Sequence, residues 1–161
     1  MRASDWEIAR QLRLTALADT PDAFAATLEE ESAMPEACWK DRAQSNAEGR
    51  ESVGFFAVDG GSECGLAIGI WVGGEPPTAQ LNALWIAPGA RRAGAGRVLV
   101  AAVADWARER GAARLVLEVT ETSQAALALY RVLGFEVVRG PAPICGRRQA
   151  SAIHMQRLIT S

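Results

Sequence analysis

The chain has 161 residues, a formal net charge of −2 and 49% apolar residues, which suits one domain over residues 1–161 with a core that needs no metal or disulfide. The near-neutral balance argues against a nucleic-acid binder, which would carry a strong basic excess. Cys38, Cys64 and Cys145 are odd in number and lack metal-ligand spacing, so neither a disulfide framework nor a zinc site is expected, and a reducing cytoplasm fits.

No basic stretch leading into an apolar core opens the sequence, and no run approaches the roughly 20 apolar residues that span a bilayer. Asp5 to Ala18 puts Trp6, Ile8, Ala9, Leu12, Ala16 and Leu17 near one helical face, which predicts a helix. Thr20, Pro21 and Asp22 break it. A second short helix is expected over Ala23 to Glu31 with Phe24 and Leu28 buried, and a third from Pro35 through Ala43 anchored by Trp39. From Ser52 the period shortens. Val53 to Val58, Cys64 to Val72 and Thr78 to Ala87 read as an antiparallel meander turned at Asp59 to Gly61 and at Gly73 to Pro77.

The stretch Leu81 to Arg97, LNALWIAPGARRAGAGR, runs from a strand pattern through Arg91 and Arg92 into a helical pattern at Gly94 and Gly96. The first N–H groups of a helix lack internal partners and sit at the positive end of its dipole, so an anion is welcome there. Glycines let backbone amides approach a diphosphate, and arginines add donors suited to its oxygens. The bland alternative is a tight strand-to-helix turn with two solvated arginines. A Rossmann fingerprint is absent because Leu99 stands where its third glycine belongs, and a P-loop is absent because Arg97 and Val98 follow Gly96.

In the helix that follows, Val98, Leu99, Ala102, Val103 and Trp106 share one face and Gly111 is the expected stop. Leu115 to Val119 then gives a strand that must run parallel to the one before the crossover. A helix from Ser123 or Gln124 to Leu133 follows. Closing strands at Phe135 to Val138 and Ser151 to Leu158 are joined by an irregular segment, Pro141 to Gln149.

With these elements in order, the chain resembles the GNAT superfamily of N-acetyltransferases. The resemblance rests on Arg91 to Gly96, which is similar to the family's acetyl-CoA loop, and on Ala126 to Phe135, ALALYRVLGF, which is similar to its second motif. The stretch LRLTALADTPDAFAATLEEE also looks like the opening helices of many bacterial members. The implied fold is α/β of the α+β type: a mixed, mostly antiparallel central sheet with one splayed parallel strand pair, flanked by helices. The usual first strand is missing, so either the fold lacks its edge strand or the gene start was placed too late. The bare edge left near the first helices invites pairing with a second copy of the chain.

The resemblance implies a cosubstrate, acetyl-CoA, and no metal. Backbone amides of Arg92, Ala93, Gly94, Ala95 and Gly96 would cradle its diphosphate, with Arg91 at the start of the loop. Trp85 and Ile86 would offer main-chain groups to the pantetheine arm between the splayed strands. Ser123 stands where relatives usually carry asparagine; it can still cap the helix but reaches less far. Tyr130, the only tyrosine, occupies the place of the proton donor for the departing thiolate, the alternative being a core tyrosine with a buried partner.

The substrate's own amine is the nucleophile, and at a pKa of about 10.4 it needs a base or a water chain to lose its proton. Glu118 and His154, the only histidine, are the side-chain candidates, beside water or a backbone carbonyl. Phe24 and the acidic run Glu29 to Glu31 are expected to border the acceptor site, where a cationic amine would be attracted, unless the run is a solvated helix face. The function expected is acetyl transfer from acetyl-CoA to a primary amine by direct attack in a ternary complex. The alternative is a catalytically silent acyl-CoA-binding or interaction module of the same fold. Polyamine, aminoglycoside, amino acid and protein N-terminus stay open as acceptors.

Overall fold

A computed structural model describes residues 1–143 and 151–159. The chain opens with a single 3-10 turn, Ala3–Asp5, and three helices: α1 (Trp6–Asp19), α2 (Leu28–Ser32) and α3 (Glu36–Glu48). Strands β1 (Ser52–Asp59), β2 (Ser62–Gly73) and β3 (Thr78–Ile86) follow, then α4 (Ala95–Glu109), β4 (Arg114–Thr120), α5 (Gln124–Val132), β5 (Glu136–Pro143) and β6 (Ser151–Leu158). The six-stranded sheet has the order β1-β2-β3-β4-β6-β5. Only β3 and β4 are parallel, and every other pair is antiparallel. This is the mixed sheet with one parallel pair that the sequence predicts; among the described residues no strand precedes α1, and the outer edge of β1 is unpaired.

Two apolar clusters sandwich the sheet. On one face α4 and α5 bury Leu99, Val100, Val103 and Leu127 against Leu115, Leu117 and Met155. On the other, α1 packs Leu12, Ala16 and Leu17 against Leu66, Ala83 and Trp85. Gly69 makes the first contact possible, because a Cβ there would lie 2.9 Å from Val103 Cγ1 and 3.0 Å from the Trp106 ring.

Several helical expectations need correction. Residues 23–31 do not form one helix: a 3-10 turn covers Pro21–Ala23, Phe24 is extended, and α2 starts only at Leu28. Thr27 decides this through a capping box, its hydroxyl accepting the Glu30 N–H at 3.2 Å while its own N–H donates to the Glu30 carboxylate at 2.8 Å. Leu28 is therefore 40% exposed, contrary to expectation, whereas Phe24 is buried. Pro35 sits at the N-cap of α3 instead of inside its first turn, and the helix runs past Ala43 to Glu48, where left-handed Gly49 ends it. Val98 points outward, 68% exposed. β5 extends through Pro143, so the segment expected to be irregular begins as strand; Cys145 and the rest of residues 144–150 lie outside the described residues.

Candidate active site

Parallel pairing of β3 with β4 runs from Thr78↔Arg114 to Leu81↔Leu117 and stops. Beyond that point the two strands part, while β4 stays paired to β6 as far as Thr120↔Ala152. The parting coincides with a bulge: Gly69 of β2 faces Leu81 and Ile68 faces Ala83, which leaves Asn82 as the extra residue. The bulge reverses the alternation of β3, so Ala79 and Leu81 face α4 whereas Ala83 and Trp85 face α1.

Register also fixes which peptide groups face the gap. The Ala87 N–H donates to Cys64 O at 2.8 Å, and Trp85 lies opposite Leu66 and Ile86 opposite Gly65. Since main-chain groups alternate sides along a strand, those of Trp85 turn to β2 while those of Leu84 and Ile86 turn to the gap. The expectation that Trp85 presents its main chain there gives way to Leu84. The Trp85 side chain instead donates its indole N–H to Asp19 at 2.9 Å.

Where β3 ends, a 3-10 turn over Pro88–Ala90 leads into the arginine loop. Arg91 is spoken for: its Nε donates to Ile86 O at 2.9 Å and its guanidinium pairs with Asp19 at the end of α1. The Trp85 N–H and then the Arg91 guanidinium hold the Asp19 carboxyl below its ordinary value. Arg92 has a left-handed backbone, φ +66°, the one non-glycine residue among those described with a positive φ. Ala93 and Arg92 are exposed.

Gly94 caps α4 with φ +93° and no side chain, leaving the N–H groups of Ala95, Gly96 and Arg97 at a helix start without intrahelical partners. The two glycines serve different ends. A Cβ on Gly94 would meet nothing, so its backbone conformation is what demands glycine, whereas a Cβ on Gly96 would press on Leu129 of α5 at 3.2 Å. Gly96 is thus a close-packing glycine for the two helices.

On the α4 face, Tyr130 of α5 is 6% exposed and lies edge-on to Phe135 with ring centroids 5.6 Å apart. Burial pushes its phenol up to about 12, so it stays protonated at neutral pH. Ser123 precedes α5 without a capping bond from its side chain, and the Gln124 side-chain amide donates back to Glu121 O at 3.0 Å. The capping role expected of Ser123 is therefore unfilled, and its hydroxyl is uncommitted.

On the opposite face, Glu118 and His154 face one another across β4 and β6, Oε1 to Nδ1 at 3.4 Å, with side chains 51% and 30% exposed. The two base candidates thus form one pair. Phe24 is buried in the α1 cluster under the Arg13 guanidinium, 4.5 Å from its ring centroid. Arg13 covers its ring and lines a cavity between α1, α3 and the sheet, which Phe24 itself does not reach. Glu31 is buried between Arg13 and Arg42, so the acidic run is no uniform solvated face: Glu29 and Glu30 are exposed and Glu31 is not. Glu31 belongs to the acidic run expected at the acceptor site, but its pairing with Arg13 and Arg42 has no signal in the sequence; neither do the roles of Asp19 and Asn82, apart from the broken alternation around Asn82 in LNALWI.

The model of the acetyltransferase (GNAT) family matches residues 14–135, a span holding the arginine loop, Glu118 and Tyr130. The chain belongs to the GNAT acetyltransferase family. Over 50 residues it is 54% identical to streptothricin acetyltransferase of Streptomyces lavendulae, covering 31% of this chain and 26% of that protein. Over 97 residues it is 33% identical to the ribosomal protein bS18-alanine N-acetyltransferase of Escherichia coli K12, covering 60% of this chain and 64% of that one. The chain therefore matches from a quarter to just under two thirds of these relatives' lengths. Among solved structures, nourseothricin acetyltransferase is 30% identical with TM-score 0.62, over 68% of this chain and 66% of its own. That of yncA from Salmonella typhimurium, solved with its cofactor acetyl-CoA, shares the fold at TM-score 0.80 and 17% identity, over 100% and 92% of the two chains. No described helix is long and apolar enough to cross a membrane.

Proposed function

We propose that the protein transfers acetyl from acetyl-CoA to a primary amine by direct attack within a ternary complex. The observation that carries this reading is the gap between β3 and β4. It begins at Leu81 and Leu117, leads toward the start of α4, and lies between a buried phenol on one face and a carboxylate on the other. The thioester supplies the acetyl group. Amides of Arg92, Ala93, Gly94, Ala95 and Gly96 hold the diphosphate, with Arg92 and Arg97 adding charge. Leu84 and the N–H of Ile86 offer main-chain groups to the pantetheine arm, the Ile86 carbonyl being held by Arg91, and the Ser123 hydroxyl is free to bond it. Arg91 acts differently, bracing the loop against Asp19.

The two faces divide the proton traffic. Glu118, paired with His154, takes the proton from the incoming ammonium, so that the nitrogen lone pair forms the amide bond as the carbon–sulfur bond breaks. Tyr130 gives its proton to the departing thiolate, and the second proton that the nitrogen sheds on becoming an amide restores the phenol. Apolar surroundings that raise the phenol also raise the conjugate acid of a buried thiolate, so the burial of Tyr130 does not by itself turn the transfer against the thiolate. The test is thiol release with acetyl-CoA and a panel of amines. Release with at least one amine, reduced in Tyr130→Phe, supports the reading; binding of acetyl-CoA without release for any amine supports the silent module instead.

The free edge of β1 also supports a homodimer formed by strand pairing. Sedimentation of a single monomeric species at high concentration would count against it.

A further inference from the structure

Between the α1–α3 layer and the sheet lies a cavity of about 290 Å³. Its floor is Leu66, Ile68 and Ile70 of β2, and it reaches Asn82 and Ala83. Asn82 is the first residue of β3 beyond the last parallel pair, and Glu118 is the first on β4. The cavity therefore opens toward the gap at the point where the candidate base stands. We propose that it is the acceptor pocket, and that it selects a small amine bearing a carboxylate, of the amino-acid class; this rests on the acetyltransferase reading above.

Size and charge carry the inference. Small-molecule sites span about 300 to 1,000 Å³, and this one, just below that range, has room for an amino acid. The charged walls are Arg13, Arg42 and Glu31. Glu31 is 5% exposed, and a carboxylate buried so deeply must be paired. Arg13 answers both of its oxygens, Nε to Oε2 at 3.0 Å and Nη2 to Oε1 at 2.9 Å, a closed bidentate pair. Arg42 reaches the same carboxylate only at 3.4 Å and lies over the Trp39 ring, 5.2 Å from its centroid. Its charge is the surplus, giving the wall a balance of one positive.

Donors are in surplus as well. Trp39 is 4% exposed and its indole N–H is buried without an acceptor. The Asn46 amide donates only to the Met1 sulfur, at 3.9 Å. A wall with an extra cation calls for an anionic acceptor group, and one of its lining residues, Trp39, holds a buried N–H without an acceptor; a polyamine would bring charge of the same sign. The expectation that the acidic run attracts a cation gives way here, because Arg13 already neutralises Glu31 and Arg42 adds a positive charge beyond that. An amino acid with its amine at Asn82 and Glu118 and its carboxylate toward Arg42 and Trp39 satisfies both ends.

The experiment titrates the full chain, saturated with coenzyme A, with the common α-amino acids, their carboxamides and their decarboxylated amines, by calorimetry, and then measures acetyl transfer with acetyl-CoA. At least one free acid is expected to bind and be acetylated roughly tenfold or more in preference to its carboxamide, the scale of a charge-assisted hydrogen bond. Arg42→Gln should bring that ratio toward one, and Trp39→Phe should lower it while keeping the ring, with calorimetric affinity for acetyl-CoA retained in both. Equal binding of acid and carboxamide, failure of every free acid to bind, or a preferred acid that is never acetylated overturns the pocket assignment. Failure to bind acetyl-CoA at all instead removes the acetyltransferase reading and this proposal with it.

Discussion

The two faces of the sheet solve different problems with different materials. On the α4 side the architecture is main chain and apolar bulk: a helix start, two glycines with distinct duties, and one phenol set among aliphatic side chains. On the α1–α3 side the decisive parts are charged side chains held in a half-open cavity, with Glu31 clasped by Arg13 and a second arginine left over. A nucleotide tail common to many reactions suits recognition by backbone, which tolerates sequence drift. A particular acceptor demands particular side chains, and the proposed ones sit on the most irregular part of the fold.

Perturbing each face separately tests that division. The largest effect is expected from Tyr130→Phe, which should lower kcat by about 10²-fold, the scale of lost general-acid help, with acetyl-CoA affinity nearly unchanged; steady-state kinetics and calorimetry together check it. On the other face, Glu31→Gln removes one partner of a buried pair and leaves Arg13 uncompensated. Partial exposure of that arginine brings the loss below the 3 to 5 kcal/mol of a fully buried pair, to about 2 kcal/mol in denaturant unfolding. Gly94→Asp should weaken acetyl-CoA binding by about tenfold, combining strain at a positive φ with repulsion of the diphosphate. Thiol release at saturating acetyl-CoA would recover more of its activity than in Tyr130→Phe.

The smallest perturbation is pH. Because Tyr130 is the only tyrosine, near-ultraviolet tyrosinate absorbance reports one group, expected to titrate near 12 when folded and near 10 once unfolded. A folded value raised above the unfolded one stabilises the native state below about 10 and loses that contribution as pH climbs toward 12. A midpoint near 10 in the folded protein would show the phenol to be solvated and undo the contrast between the faces.

How much of this was readable in advance follows the same line. The strands announced themselves by alternation, the crossover by its length, and the loop by Gly94 and the arginines, because each is a local property of consecutive residues. Failures occurred where distant contacts overrule local pattern. The bulge at Asn82 shifts the parity of β3, so nothing in LNALWI says that Leu84 and Ile86, and not Trp85, turn their peptide groups to the gap. Thr27 captures the start of α2 and turns Leu28 outward. The burial of Glu31 depends on Arg13 and Arg42, which are 18 and 11 residues away in the chain, and no periodicity encodes it.

Asp19 accepts from Trp85, 66 residues away, and from Arg91, 72 residues away. One carboxylate thus fastens the tail of the opening helix to the arginine loop proposed to hold the cosubstrate. Deleting it cannot be a one-sided injury: slack introduced there would reach the nucleotide cradle and the acceptor chamber together, and pairing such a change with a lesion on either side should yield less than the sum of the separate losses.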